Sequence, residues 1–407
     1  MAIAPGVVPA FCGLVLGAVL VEAFVYRRRL RLGGRRALGT SALANVASAA
    51  VGAGVGLVMS RLLAETPTAP IALAGLVVTL IVEVPIVARM NRDYAERRRL
   101  LRVASLANAA TYAVGATVFA GMLNASARSP EVTRHAVQVP GLPAALTGLR
   151  VVQLTDLHVG PLFGSAAMRR AVVLANACEP DVVVLTGDFP HYRSMARFRR
   201  AAPELAGLRA RLGVFACLGN HDHWEGAPEV QAILEGVGVR VLVNANTQVS
   251  RGLWLAGLDD LMSGQPDLDR TVQGIPDDAA VILLSHNPIV LPQVAERAWI
   301  VLAGHTHGGQ IALPWLGPRG SMRLAGFRHV AYAWEWCGVR SHGGRTEAIS
   351  STRYPAGWYE HGRARMYVSR GVGFSQYWPF RLNCPSEIAC FALEPGADPT
   401  ARLGGED

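Results

Sequence analysis

Two hydrophobic rhythms divide the chain. Over its first third, residues 2 to 26, 37 to 60, 66 to 88 and 103 to 127 are apolar stretches whose only charged residues are Glu22 and Glu83. Each is long enough for a bilayer core, which takes about 20 residues of helix. None alternates with a broad polar face as a surface helix would. The pattern predicts a membrane domain of four transmembrane helices over residues 1 to 127. Ser48, Gly52 and Gly56 recur at four-residue spacing in the second stretch, which suits close helix packing in lipid. Glu22 and Glu83 read as partners within the bundle or as a functional pair.

Beyond Leu149 the rhythm shortens. Five brief apolar runs, at residues 150–155, 182–186, 214–218, 281–284 and 300–303, each pass directly into Asp, Asn and His. The clusters are Asp156-Leu157-His158, Gly187-Asp188, Gly219-Asn220-His221-Asp222, Ser285-His286-Asn287 and Gly304-His305-Thr306-His307-Gly308-Gly309. Runs of this length read as buried strands, and strand ends at one edge of a sheet are where α/β proteins gather residues distant in sequence. A metal centre is the leading expectation.

Ligand chemistry narrows the ion. Imidazole, carboxylate and amide oxygen suit Zn, Mn or Fe, and no Cys lies in any of the five clusters to suggest a thiolate site. Four imidazoles argue against Mg or Ca. Asp156, His158, Asp188, Asn220, His286, His305 and His307 are too many for one tetrahedral ion, whereas two ions sharing a carboxylate would use them all. If the backbone at Gly304-His305-Thr306-His307 is extended, residues i and i+2 point the same way and both imidazoles face the metals. The remaining histidines, His135, His191, His223, His329, His342 and His361, read as ordinary surface or loop residues. His191 and His223 are the leading exceptions because they flank the clusters.

The order of these motifs resembles the calcineurin-like metallophosphoesterase superfamily over roughly Gly148 to Leu393. Residues 303–311, with Met366-Tyr367-Val368-Ser369-Arg370-Gly371-Val372-Gly373 and Pro385-Ser386-Glu387-Ile388, are similar to its bacterial membrane-associated phosphohydrolase branch. The resemblance implies an α/β fold, a two-layer β-sandwich flanked by helices, as a domain over 148–395. A linker and lead-in strand at 128–147 would precede it, and a polar tail at 396–407 would follow. It also implies a ligand set: Asp156, His158 and His307 on one ion, Asn220, His286 and His305 on the other, and Asp188 bridging. His221 would lie beside the substrate to stabilise the transition state or protonate the leaving oxygen, with Asp222 orienting it.

Two dications against two carboxylates leave a positive site that fits a phosphate ester. A water held between the metals, its pKa lowered toward neutrality, would attack in line without a covalent intermediate. The implied activity is dimetal phosphoester hydrolysis. Two alternatives stand beside it: a membrane sensor that binds a ligand without turnover, and a pyrophosphatase acting on lipid-linked nucleotides or sugars.

Charge sets the orientation. Arg27, Arg28, Arg29, Arg31, Arg35 and Arg36 follow the first apolar stretch, and Arg89, Arg92, Arg97, Arg98, Arg99 and Arg102 follow the third. Both loops should be cytoplasmic, which places the catalytic domain outside the cytoplasmic membrane of a multi-pass protein. Twelve Arg against Asp93 and Glu96 give these loops +10, while the whole chain carries +9. A pI of 9.7 therefore reflects topology, and nucleic acid is not an expected partner. With no basic residues ahead of the first apolar stretch, a cleavable signal is not expected either.

Between Pro314 and Tyr354 the chain is longer than the family pattern expects, carrying Phe327, Tyr332, Trp334 and Trp336. These aromatics read either as packing the insertion onto its own domain or as a membrane-facing rim. Cys12, Cys178 and Cys217 read as free thiols. For Cys337, Cys384 and Cys390 pairing stays open.

Overall fold

The computed structural model describes residues 130–310, 312, 353–374, 381 and 383–396. The chain separates into two units, Met1–Met122 and Leu123–Asp407, and every described residue belongs to the second. The four apolar stretches of residues 1–127 lie outside the described residues. So do Cys12, Cys337 and the aromatics at 327–336. Among the described residues no helix is long and apolar enough to cross a membrane.

The described part opens with β1 (Glu131–Pro140), β2 (Arg150–Leu154), α1 (Ser165–Asn176), β3 (Val182–Thr186), α2 (Met195–Ala201) and β4 (Val214–Cys217). It continues with α3 (Asn220–Glu225), α4 (Ala227–Gly236), β5 (Arg240–Val241), β6 (Ala245–Ser250), β7 (Leu253–Gly257) and α5 (Leu268–Val272). The last strands are β8 (Ala280–Leu284), β9 (Ile300–Ala303), β10 (Gly357–His361), β11 (Ala364–Val368) and β12 (Glu387–Gly396). Two mixed sheets result, with strand orders β1-β12-β2-β3-β4-β5 and β10-β11-β9-β8-β7-β6. Strands β2, β3, β4 and β5 run parallel in the first sheet, as do β7, β8, β9 and β11 in the second.

The five apolar runs became β2, β3, β4, β8 and β9 because parallel strands covered on both faces need side chains that are apolar in both directions. Inner positions such as Val151, Val184, Phe215, Ile282 and Leu302 share one core between the sheets. The alternate positions Val152, Leu154, Val183 and Leu185 pack with Met168, Phe198 and Leu234 in a helical layer. On the far side Val281, Leu283 and Val301 meet Val290, Leu291 and Val294. Met168, Ala171, Val172 and Ala175 are the buried residues of α1, the i, i+3, i+4, i+7 spacing of a helix with one apolar stripe.

A polar side chain within the central core ties its strands together. Gln153 Nε2 donates to Thr186 Oγ1 at 2.9 Å and to the Ala303 carbonyl at 3.0 Å, which pins β2 and β3 to β9 directly beneath the ligand-bearing loops. The lead-in strand is more than a linker. β1 pairs in parallel with β12 along its whole length, so Glu131–Pro140 is itself a strand of the first sheet.

Candidate metal centre

Every proposed ligand lies at the C-terminal end of a parallel strand. Asp156 and His158 follow β2, Asp188 follows β3, Asn220 opens α3 after β4, His286 follows β8, and His305 and His307 follow β9. All seven are buried. Five of them, Asp156, His158, Asp188, His305 and His307, have positive φ, between 42° and 73°. Left-handed backbone at non-glycine residues is sparsely populated and concentrates where surrounding structure forces a side chain toward a site.

The expected extended backbone at Gly304-His305-Thr306-His307 is not what forms. His305 has φ 73°, Thr306 is right-handed helical at φ −87°, ψ −13°, and His307 starts a short 3-10 turn. The two imidazoles nevertheless reach the same centre, because a left-handed residue on each side of Thr306 turns the chain around it. Close approach needs glycine here: a Cβ at Gly304 would overlap Thr155 Oγ1 and Asp156 Oδ2. The His305 N–H donates to both oxygens of Asp156 at 3.1 Å.

Donor atoms of these side chains form a chain of close contacts. Asp156 Oδ1 lies 3.4 Å from His307 Nε2, which is 3.0 Å from His158 Nε2. His158 Nε2 is 3.4 Å from Asp188 Oδ2, and the same oxygen is 3.2 Å from His286 Nε2. His305 Nδ1 completes the chain, 3.3 Å from His286 Nε2 and 3.0 Å from Asn220 Oδ1. Ligand atoms held about 2.1 Å from a shared ion would stand roughly 3.0 to 3.4 Å from one another, so these spacings fit metal coordination. The groups able to hold an ion are Asp156 with His158 and His307, His158 with Asp188 and His221, and Asp188 with His286 and His305.

Hydrogen bonding supports the same conclusion. His286 Nδ1 lies 2.7 Å from the Thr186 carbonyl, which can only accept, so Nδ1 carries a proton. In the neutral ring, Nε2 then presents a lone pair to the Asp188 carboxylate. Burial opposes a charge on His286, but the Asp188 carboxylate raises it well above the usual histidine range, so the gap between Nε2 and Asp188 Oδ2 is a place for positive charge, filled by a proton on the ring or by a metal ion in its stead. Burial holds the imidazoles of His158 and His307 well below the usual histidine range and His305 down to about 3, so these rings are in the neutral, ligating form. Burial also pushes Asp156 up to about 6, with the charge of Asp188 adding to it.

His221 is held beside the centre. Its backbone N–H donates to Asp188 Oδ1 at 2.9 Å, which leaves Asp188 Oδ2 for the ligand row. The imidazole packs edge-on to His158 at 4.6 Å between centroids and lies 4.5 Å from the Trp224 ring, and its Nδ1 has no protein partner. No hydrogen bond joins Asp222 to the His221 ring. The Asp222 carboxylate instead accepts the N–H groups of Asp188, Phe189 and Gly219 at 2.9, 2.8 and 2.7 Å. It fastens the loop after β3 to the start of α3 and thereby sets where Asp188 and Asn220 stand.

Of the two exceptional histidines, His191 comes within 5.8 Å of His158 and 6.4 Å of His221 between ring centroids. His223 turns away to pair with Asp259 at 2.7 Å. His135 packs against Tyr367 and Phe391, and His361 is exposed. Two neighbours of the site carried no signal in the sequence. Buried Arg381 donates to the carbonyls of Gly373 and Arg370 at 2.6 and 2.9 Å and reaches within 3.4 Å of His307 Nδ1. It lies outside any periodic segment. Trp224 follows Gly219-Asn220-His221-Asp222 and donates to Ser263 Oγ at 2.9 Å, a contact that only the fold creates.

Comparison with known proteins agrees with this geometry. Residues 149–309 match the calcineurin-like phosphoesterase family. A Danio rerio protein named transmembrane protein with metallophosphoesterase domain is 35% identical over 208 residues, 47% of this chain and 47% of that one. The Bacillus subtilis metallophosphoesterase YkuE is 29% identical over 271 residues, 65% of this chain and 85% of its own. The Chlamydia trachomatis UDP-2,3-diacylglucosamine pyrophosphatase LpxG is 27% identical over 233 residues, 45% of this chain and 71% of its own. The match spans about half the length of the Danio rerio and Bos taurus relatives. Over residues 149–309, the part that carries the candidate metal ligands, the chain is similar to the calcineurin-like phosphoesterases.

Proposed function

We propose that this chain is a membrane-anchored hydrolase of phosphate esters that works with two divalent cations, Mn, Zn or Fe. The observation that carries the reading is the position of Asp188 Oδ2, 3.4 Å from His158 Nε2 and 3.2 Å from His286 Nε2, between the two sets of ligands. Asp156, His158 and His307 would hold one ion, Asn220, His286 and His305 the other, with Asp188 shared. Such ions supply Lewis acidity toward a phosphoryl oxygen and make a water acidic enough to attack at neutral pH.

The chain's own residues do the rest. Asp222 fixes the loop after β3 against α3, so Asp188 and Asn220 are set before substrate arrives. Thr186 holds His286 in the tautomer that ligates through Nε2. The His221 imidazole, without a protein partner at Nδ1, is free to donate a hydrogen bond to a phosphoryl oxygen or a proton to the departing oxygen. The full chain, purified in detergent and loaded with Mn, Zn or Fe, should hydrolyse p-nitrophenyl phosphate or its diester and lose that activity to a chelator. Tight ion binding with no turnover on any ester would favour the sensor reading.

The four apolar stretches of residues 1–127 anchor the protein in the cytoplasmic membrane, with the catalytic domain on the extracytoplasmic side. The arginine loops support this, as does the name of the Danio rerio relative. Single cysteines placed at Arg35 and Arg97, in a background without reactive native thiols, should resist an impermeant thiol reagent in intact cells while one at Ser129 labels. The reverse pattern would put the site in the cytoplasm.

A narrower substrate reading, a lipid-linked phosphoester or pyrophosphate, is favoured by the rim of the site. Leu162 and Tyr192 are each 49% exposed and stand four residues beyond His158 and Asp188. Their loops are joined by a bridge between Val159 and Pro190 and by the His191 N–H donating to the Val159 carbonyl at 3.0 Å. Two exposed apolar side chains on the joined loops that carry His158 and Asp188 suit an acyl chain entering with its phosphate. The name of the LpxG relative points to the same class. Leu162→Ser with Tyr192→Ser should depress hydrolysis of a lipid-borne pyrophosphate and spare a soluble ester; equal loss on both would remove this reading.

A further inference from the structure

The two thiols of Cys178 and Cys390 lie 212 positions apart in the sequence and meet in the helical layer. Cys390 sits on β12 opposite Val152 of β2. Period-2 alternation sends Cys390 and Val152 to the helix side, where both belong to one packed cluster with Cys178, while Phe391 and Val151 face the other sheet. Cys178 follows the C-terminus of α1, where its carbonyl accepts from Arg150 Nη1 at 3.2 Å. Arg150 is paired with Ala392 of β12, two residues from Cys390 and on the same face. Strand register and the Arg150 contact thus bring Cys178 over Cys390 independently of each other.

From this geometry we propose that Cys178 and Cys390 are a modification site: a thiol pair that an external disulfide oxidant converts to a disulfide fastening the end of α1 to the C-terminal strand. The sequence left Cys390 as a possible partner for Cys337 or Cys384 and read Cys178 as a free thiol. In the structure Cys178, Cys384 and Cys390 are all free and buried, and it is Cys178 that faces Cys390.

The chemistry suits exchange. The neighbouring Cys390 thiol, helped by the guanidinium groups of Arg134 and Arg150, lowers the Cys178 thiol to about 7, and Cys178 Sγ itself donates to the Leu174 carbonyl at 3.5 Å. Cys390 is correspondingly raised. Arg134 sits directly opposite Cys390 in the β1–β12 register. A thiolate available near neutral pH is the attacking group in exchange. Cys178 sulfur attacks one sulfur of a small-molecule disulfide, forming a mixed disulfide and expelling one thiolate, which takes up a proton. Cys390, giving up its own proton, then attacks the Cys178 sulfur and releases the second thiol. Two protein thiols are oxidised and one external disulfide is reduced to two thiols.

Closing a loop of this length removes much of the unfolded chain's freedom. The oxidised form should therefore melt about 5 to 10 °C higher than the reduced form. The test uses the full chain in detergent, both folded and refolded from denaturant, with oxidised glutathione as the probe. Non-reducing proteolysis and mass spectrometry should find the peptides containing Cys178 and Cys390 joined. The rise in melting temperature should be reversed by dithiothreitol and be absent in Cys178→Ser and Cys390→Ser. Glutathione left on Cys178 without a cross-link after refolding, or a bridge from either residue to Cys337 or Cys384, would overturn the assignment. None of these readouts involves metal or turnover, so the outcome is separate from that of the proposed activity.

Discussion

Two of the buried polar clusters among the described residues are built in opposite ways. Around Glu387, on β12, acceptors meet only donors. Oε1 accepts from Thr133 Oγ1 at 2.7 Å and from the Tyr367 hydroxyl at 2.6 Å. Oε2 accepts from the Arg370 N–H at 2.9 Å and from Ser369 Oγ at 3.3 Å, with Arg370 Nε at 3.5 Å. In the candidate metal centre imidazole nitrogens crowd carboxylate oxygens, with His286 Nε2 against Asp188 Oδ2 and His307 Nε2 against Asp156 Oδ1. One cluster is closed by the protein and holds strands together. The other offers grouped ligand atoms to a cation, and five of its residues sit in left-handed backbone to present them. A satisfied buried network adds rigidity, whereas an unsatisfied one marks a site.

The contrast is broken most severely at its pivot. Asp188→Asn removes the charge from the oxygen that faces both His158 and His286. Turnover should fall on the order of 10³ to 10⁴-fold, the scale of losing a central catalytic group, and bound metal measured by elemental analysis should fall with it. A variant that keeps two ions and near-normal turnover would show that the close nitrogen–oxygen contacts do not mean shared coordination.

His221 tests the next layer. Because its ring belongs to the substrate side in the proposed mechanism, His221→Ala should lower turnover by about 10²-fold while metal content stays at the wild-type level. Loss of metal together with activity would move His221 into the ligand set, alongside His158 and Asp188, with which it forms one of the candidate groups.

Much of this centre was legible before folding was considered. Residue type and strand-end position alone pointed to Asp156, His158, Asp188, Asn220, His286, His305 and His307, because buried parallel strands leave a continuous apolar run that stops where the polar edge begins. Backbone geometry was not legible. The expectation of an extended turn at His305 and His307 failed because the conformation there is set by Asp156 accepting the His305 N–H and by the space that Gly304 leaves, both non-local. The contacts of Asp222 were not legible for the same reason: sequence adjacency suggested a partner for His221, and the fold delivers three N–H groups to its carboxylate. The membership of Glu131–Pro140 in the sandwich depended on pairing with residues some 250 positions later, which no local pattern announces.

The smallest expected effect falls on the closed cluster, and it should leave chemistry alone. Glu387→Gln keeps the volume but removes the charge that accepts from Thr133, Tyr367, Ser369 and Arg370, so it should destabilise the domain by about 2 to 4 kcal/mol with metal content and turnover per folded molecule unchanged. The pH dependence gives the sign. Burial opposes ionisation of Glu387, but the Arg370 N–H, the Tyr367 hydroxyl and the Arg370 guanidinium together hold its carboxyl below the ordinary glutamate range. A carboxylate whose folded value is depressed contributes stability that is present above its unfolded value, about 4.3, and is lost as pH falls through the lower folded value. Urea melts of wild type and variant should therefore differ by a constant amount from pH 6 to 8, with the gap narrowing below about pH 4. A gap that widens on acidification would mean that the carboxyl is protonated in the folded state and that this cluster, like the metal centre, is not closed by its own donors.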